Sequence, residues 1–460
     1  MTLEAQAALA ANASARSDLK DIWRLAIPAM LAIASEPVFV LADTAMIGRL
    51  GVDPLAARSI ASSLIGGIYW IFAFLIFGTT TLVGLHRGRN EPEACGELLV
   101  HALFIALAGG VAVALPGYFF AERLYLWMGA GPGVLEGGAA YFRVVILGTP
   151  FTFLYFAAIG FLRGVEDTRT PMLIAFAANG LNIVLDFLLI YGGLGLPALG
   201  LDGAAAARLV SQMLAGSLCA AVVFFSSYTA AYRLDRWRLD ARRFLSLSRI
   251  GGDLALRTGA LRFSLVFATG TVARMGAVAL SSHEIALQLF MLSSDTTDGI
   301  AVAGQTLAAG HLGAGRAERA YRMGRVLILC GAATGVVFGG AYFLFQESIV
   351  GFFTRSAGVE ATLAGLIFVL LAAFQPINGA VFASDGFLLG VNDTRYLMRA
   401  MLVGALGIFV PIAWLSLRQG WGLRGIWIGL SLLMAWRLAT NIFRFLSKGW
   451  APLFSGQTPR

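Results

Sequence analysis

Long apolar stretches recur along the chain between residues 22 and 446, and each is long enough to cross a lipid bilayer. A transmembrane helix needs about 20 mostly apolar residues. Hydrophobic residues make up 58% of the 460 residues and charged residues only 13%, whereas soluble domains carry about 25% charged residues. The chain therefore has too few polar residues to cover the surface of a soluble enzyme of this length. These features predict an all-α polytopic membrane protein.

The apolar pattern predicts twelve transmembrane helices, with a polar break at residues 227–248 that divides the chain almost in half. The predicted spans are 22–47, 58–84, 97–120, 137–162, 170–192, 203–228, 251–274, 283–309, 322–346, 359–388, 397–417 and 423–446. We therefore expect a cytoplasmic arm at 1–20, an N-lobe at 21–228, a cytoplasmic linker at 229–249, a C-lobe at 250–447 and a C-terminal tail at 448–460.

An internal repeat supports this division. Four landmarks recur in order at a nearly constant offset: Arg49-Leu-Gly51 and Arg274-Met-Gly276, His86-Arg-Gly88 and His311-Leu-Gly313, Pro150 and Pro376, and the segments 164–169 and 390–395. Self-similarity of this kind is typical of duplicated transporters. It predicts two pseudo-symmetric six-helix bundles in parallel orientation.

The net charge of +8 is distributed as in a membrane protein. Basic residues gather in alternate predicted loops, among them Arg87 and Arg89, Arg163 and Arg169, Arg316, Arg319, Arg322 and Arg325, and Arg395 and Arg399. The other loops carry fewer, including Arg49 and Arg58. Since cytoplasmic loops are enriched in Lys and Arg, we expect a multi-pass protein of the cytoplasmic membrane with both termini in the cytoplasm. The sequence has no basic face with interleaved aromatic residues, so we expect no nucleic-acid partner.

The sequence shows no enzyme signature. The three cysteines are far apart, without a CxxC or Cys/His cluster, so we expect neither a disulfide framework nor a zinc site. No P-loop, GxSxG or HExxH motif occurs in a plausible context. We therefore expect no organic cofactor and no catalytic residues.

Charged residues within the membrane are costly and usually functional, and the first half contains several. Glu36 and Asp43 share a face of the first predicted helix, where Pro28 and Pro37 should bend the chain. Asp43 is the candidate for a protonation switch, while Glu36 is either a cavity residue or a solvated acid at the helix end. The fifth span carries a polar stripe: Asn179, Asn182 and Asp186.

This stripe could share a proton with Asp43, bind sodium weakly through Asp43, Asn182 and Asp186, or form interhelical hydrogen bonds. Tyr141 is either a hydrogen-bond partner or an interfacial anchor.

The second half has polar stripes of different composition. They are Gln288, Asp295, Asp298 and Gln305 on the eighth span, and Gln375, Asn378 and Asp385 on the tenth. We interpret Asp295, Asp298, Gln305, Asn378 and Asp385 as a substrate cavity or second polar site. Two arginines lie inside predicted spans and need carboxylate partners unless they reach the membrane surface. Arg208 could pair with Asp186 or Asp43, and Arg262 with Asp295, Asp298 or Asp385.

Several motifs resemble the multidrug and toxic compound extrusion (MATE) family. They are Asp43-Thr-Ala-Met-Ile-Gly-Arg-Leu-Gly51, Gly164-Val-Glu-Asp-Thr-Arg169, Leu256-Arg-Thr258, Ala273-Arg-Met-Gly276, His283-Glu-Ile285 and Gln305-Thr-Leu307. The resemblance covers nearly all of residues 20–446. Asp298-Gly299, together with Asp43 and Asp186, is most similar to the DNA-damage-inducible protein F (DinF) branch.

The resemblance implies a V-shaped, monomeric antiporter that is embedded in membrane lipid and exports amphipathic, mostly cationic drugs. It assigns ion coupling to Asp43 and Asp186, with Asn182 and Tyr141 as neighbours, and helix bending to Pro28. Arg208 stands where many members have a threonine that could bind sodium, so charge repulsion favours protons over sodium as the coupling ion. The alternatives are sodium-coupled drug export, organic-anion export with Arg208 and Arg262 facing the substrate, and lipid-precursor flipping.

Overall fold

The structure is a computed structural model that describes residues 3–232, 240–354 and 356–451. Part of the predicted linker, residues 233–239, and the end of the predicted tail, residues 452–460, lie outside the described residues. Twelve long helical segments follow one another in the described chain. They are α1 Leu3–Gly48, α2 Val52–Gly88, α3 Pro92–Phe119, α4 Pro132–Ile146 with Thr149–Gly164, α5 Arg169–Tyr191, α6 Gly200–Phe225, α7 Ala241–Ala273, α8 Ala277–Gly313, α9 Ala317–Leu344, α10 Phe368–Gly390, α11 Thr394–Arg418 and α12 Gly422–Leu446.

Every predicted span coincides with one of these segments. Shorter helices lie between them, including Ala121–Trp127, Gln346–Phe353 and Ala357–Thr362. The short turn Leu363–Ile367 continues into α10, so the tenth predicted span begins in a separate short helix. The twelve-helix prediction is therefore confirmed, with some spans broken into shorter pieces.

Most of the long helices are apolar enough to cross a membrane. By length and composition, nine helices in the described part of the chain qualify, and the two pieces of α4, bent by 41°, make a tenth. The remaining long helices, α7 and α8, carry the arginines and aspartates that the sequence places in the seventh and eighth spans. The protein is a multi-pass membrane protein.

The chain divides into two compact units. The N-unit is Ala34–Gly251, and the C-unit is Met1–Ile33 together with Gly252–Arg460. The division falls within α1, so the first part of that helix packs with the second half of the sequence. Helix α1 is continuous through Pro28 and Pro37.

The internal repeat reappears as the same close helix packing in each unit. In the N-unit, a Cβ atom on Gly110 of α3 would lie 2.9 Å from the backbone nitrogen of Pro150 in α4. In the C-unit, a Cβ atom on Gly335 of α9 would lie 2.7 Å from Cα of Pro376 in α10. Small residues allow membrane helices to approach closely. The two prolines that mark the repeat therefore occupy equivalent contacts in both units.

Candidate functional site

An ion pair joins α1 and α2 in the N-unit. Arg58 donates from Nε and Nη2 to Oδ2 of Asp43, at 2.8 and 2.6 Å. Arg58 is only 7% exposed, so it is a buried arginine of α2 and not the loop residue that its place in the sequence suggests. Asp43 pairs with Arg58, and Arg208 is an electrostatic neighbour of Asp186, which is one of the two partners expected for it.

Asp186 of α5 lies close to this pair. It is fully buried, and neither carboxyl oxygen has a hydrogen-bond partner among the described residues. Its electrostatic neighbours are Asp43, Arg208 and Arg58. Asn182, one helical turn earlier, is also buried, and Asn179 is half-buried. An isolated ionised carboxylate is very costly in an apolar interior, so a fully buried and unbonded Asp186 demands a functional explanation.

Tyr141 completes the cluster. It is 5% exposed and interacts electrostatically with Asp43, Asp186, Arg58 and Arg208. A buried tyrosine does not serve as an interfacial anchor. We call Asp43, Arg58, Tyr141, Asp186 and Arg208 the N-unit cluster. The structure thus brings Asp43, Asp186 and Tyr141 together, as the sequence predicts, and adds Arg58.

Two other predicted residues of α1, Glu36 and Pro28, are not members of the N-unit cluster. Glu36 is exposed, as a cavity residue or a solvated acid would be, so both alternatives stay predictions. Pro28 is buried within an uninterrupted helix, and its role in bending stays a prediction.

The C-unit contains a second charged network, centred on Asp385 of α10. Arg257 of α7 and Arg437 of α12 each donate from Nη2 to Oδ2 of Asp385 at 2.5 Å. Asn441, one turn after Arg437, donates to Oδ1 at 2.8 Å. Asp385 and Arg437 are both buried. Arg262 interacts electrostatically with Asp295, which is one of the three partners that the sequence offers for it, while Asp385 is paired with Arg257 and Arg437.

Two members of this network, Arg437 and Asn441, are not among the residues predicted from the sequence, and Arg257 enters there only within a motif. A signal for Arg437 was available, because it is an arginine inside an apolar span, just as Arg208 is.

The other residues predicted as a polar site in the second half differ in burial and in contacts. Asp298 is half-buried and interacts electrostatically with Asp295, Arg257, Asp385 and Arg437. Gln305 and Asn378 are buried, and Asn378 Nδ2 donates to Gln375 Oε1 at 3.5 Å. Three aspartates and three arginines thus lie on four helices of one unit, and two of the arginines, Arg257 and Arg437, bind the same aspartate, Asp385.

Comparisons with known proteins fit this architecture of repeated helices. The MatE family model matches residues 28–188 and 260–415. The chain belongs to the MatE family. MatE proteins are multidrug and toxic compound efflux transporters, so this chain is a transporter and not an enzyme.

Among related MatE proteins, Protein DETOXIFICATION 44, chloroplastic, of Arabidopsis thaliana is 28% identical over 95% of this chain and 84% of its own length. The probable multidrug resistance protein NorM of Mesorhizobium japonicum is 27% identical over 95% of this chain and 97% of its own length.

A crystal structure of MATE in the straight conformation superposes with a TM-score of 0.85 at 23% identity, covering 96% of this chain and 97% of that one. These matches confirm the predicted fold class of two repeated six-helix bundles. Membership of the DinF branch stays a prediction.

Proposed function

We propose that this MatE transporter exports amphipathic, mostly cationic compounds in exchange for protons, by alternating access. The observation that carries the proposal is Asp186, a fully buried carboxyl group with no hydrogen-bond partner in the described chain. A proton is the smallest ligand that removes the cost of burying this charge.

The N-unit cluster supplies the setting for such an exchange. Asp43 is already compensated by Arg58, whereas neither carboxyl oxygen of Asp186 has a hydrogen-bond partner within the part of the chain that the structure describes. A cycle that exposes Asp186 to one side of the membrane loads the proton, and exposure to the other side releases it. Each charge moved across the membrane is worth about 2.3 kcal/mol per 100 mV, which corresponds to roughly fiftyfold accumulation per proton.

The proposed substrate class rests on the names of related proteins and on the aromatic content of the chain. NorM relatives of similar length carry the name multidrug resistance protein. Lipophilic cations suit transporters rich in aromatic residues through cation–π attraction, and aromatic residues make up 12% of this chain.

We further propose that the protein acts as a monomer in the cytoplasmic membrane with both termini in the cytoplasm. The alternating arginine-rich loops support this orientation.

Purified protein in liposomes tests the proposal directly. Ethidium efflux should respond to an imposed pH gradient and not to a sodium gradient at constant pH. Asp186→Asn should abolish the response, while Glu36→Gln, which alters an exposed acid of α1, should retain it. Efflux that follows only the sodium gradient would support the sodium-coupled alternative and refute proton exchange.

A further inference from the structure

Arg58 is the member of the N-unit cluster whose contacts are best defined. Both of its hydrogen bonds to Asp43 end on the same carboxyl oxygen, Oδ2. Its Nη2 also lies 3.5 Å from the carbonyl oxygen of Val40, one turn earlier in α1. The guanidinium is therefore fixed against α1 on the side where Asp43 projects.

This arrangement does not fit a sodium site. A hard cation is held by several oxygen ligands, with carboxylates prominent among them. Oδ2 of Asp43 already accepts two N–H groups, and a second cation beside a fixed guanidinium meets direct repulsion. Arg208 adds another positive charge in the electrostatic surroundings of Asp186. No group of three His, Cys, Asp or Glu side chains suited to a metal occurs in the described residues.

We infer that Arg58 is a specificity-determining residue, a built-in cation that occupies the place of a metal ion on Asp43 and excludes sodium from the coupling site. The inference rests on the proposed function, which defines the coupling site. Arginine suits this role because its guanidinium keeps its charge at all physiological pH values and forms hydrogen bonds in a fixed geometry. A proton needs only one carboxyl oxygen and no shell of ligands, so Arg58 does not prevent a proton from binding at Asp186.

Arg58→Gln removes the charge and leaves a side chain with a carbonyl oxygen. We expect this variant to bind sodium, seen as a melting temperature about 1–2 °C higher in sodium chloride than in choline chloride of equal ionic strength. The native protein should show no difference between the two salts. Arg49→Gln, which changes an exposed arginine just after α1, is the matched control and should also show none. The double variant Asp43→Asn/Arg58→Gln should lose the sodium response, because the carboxylate is gone.

Two results overturn the inference: sodium-specific stabilisation of the native protein, or a folded Arg58→Gln variant that does not respond to sodium. If Arg58→Gln does not fold in choline chloride, sodium chloride should restore its folding, and failure in both salts also overturns the inference. The measurement requires no transport. Absence of proton-driven efflux would therefore refute the proposed function and leave the sodium-binding result to be judged separately.

Discussion

Met30 of α1 lies directly against Gly299 of α8, and a Cβ atom on Gly299 would come within 2.6 Å of the Met30 backbone nitrogen. Both residues belong to the C-unit. Glycine at position 299 therefore sets how closely the first part of α1 approaches α8, next to Asp298.

Gly299→Ala tests this contact. The added methyl group meets backbone atoms that cannot rotate away, so we expect a loss of about 1–3 kcal/mol in stability. Gly340→Ala on α9 is the control, because nothing lies within 4 Å of a Cβ atom there. Thermal unfolding of both variants in detergent measures the difference, and equal melting temperatures would show that α1 is not held by this contact.

Asp385→Ala should be among the most destabilising single changes in the C-unit. It leaves Arg437 buried without its carboxylate and removes the acceptor of Arg257 and Asn441. Removing one partner of a buried ion pair costs about 3–5 kcal/mol. Asp202→Ala, at an exposed aspartate of α6, should change the unfolding midpoint little. Similar midpoints for the two variants would contradict the network described for Asp385.

Asp186→Asn should separate stability from transport. Asp186 has no hydrogen-bond partner among the described residues, so replacing its buried carboxyl group by a neutral amide should raise stability by about 0.5–2 kcal/mol, because no charge is then buried. Proton-driven efflux should be lost in the same variant. Paired measurements of melting temperature and efflux check this, and a destabilised variant with normal efflux would show that Asp186 is structural.

His101 of α3 should hold the chain that enters α7. Its Nε2 accepts the backbone N–H of Asp240 at 2.7 Å, so Nδ1 carries the proton donated to the carbonyl oxygen of Glu97 at 2.6 Å. His101→Ala removes this acceptor, and we expect roughly tenfold faster amide hydrogen exchange at Asp240. His86→Ala, at a partly exposed histidine, is the control. Unchanged exchange at Asp240 would mean that other contacts hold this segment.

The helices could be predicted from sequence because the hydrocarbon thickness of a bilayer fixes the length of an apolar span. The Asp43, Asp186 and Tyr141 grouping was also accessible, through the resemblance to MATE motifs. The partner of Asp43 was not, because an apolar pattern reports depth in the membrane and not which helix lies alongside. Arg58 stands at the start of a predicted span, where an arginine ordinarily reaches the membrane surface. Only the packing of α2 on α1 turns it inward.

The same limit applies to Asp385. Its partners come from α7 and α12, which are far apart in sequence, and no spacing rule links Arg257 to Arg437. Arg262, about one helical turn from Arg257 along α7, interacts electrostatically with Asp295, which is one of the partners predicted for it.

The matching glycine–proline contacts, Gly110 with Pro150 and Gly335 with Pro376, have a consequence for how this protein could evolve. The helix packing that the two halves share joins glycine to proline and involves no charged group, so a duplicated ancestor could alter the charges in one copy without disturbing this packing. Among the described residues, the N-unit keeps a buried carboxyl group without a hydrogen-bond partner, Asp186, whereas the C-unit holds two arginines on one acid, Asp385.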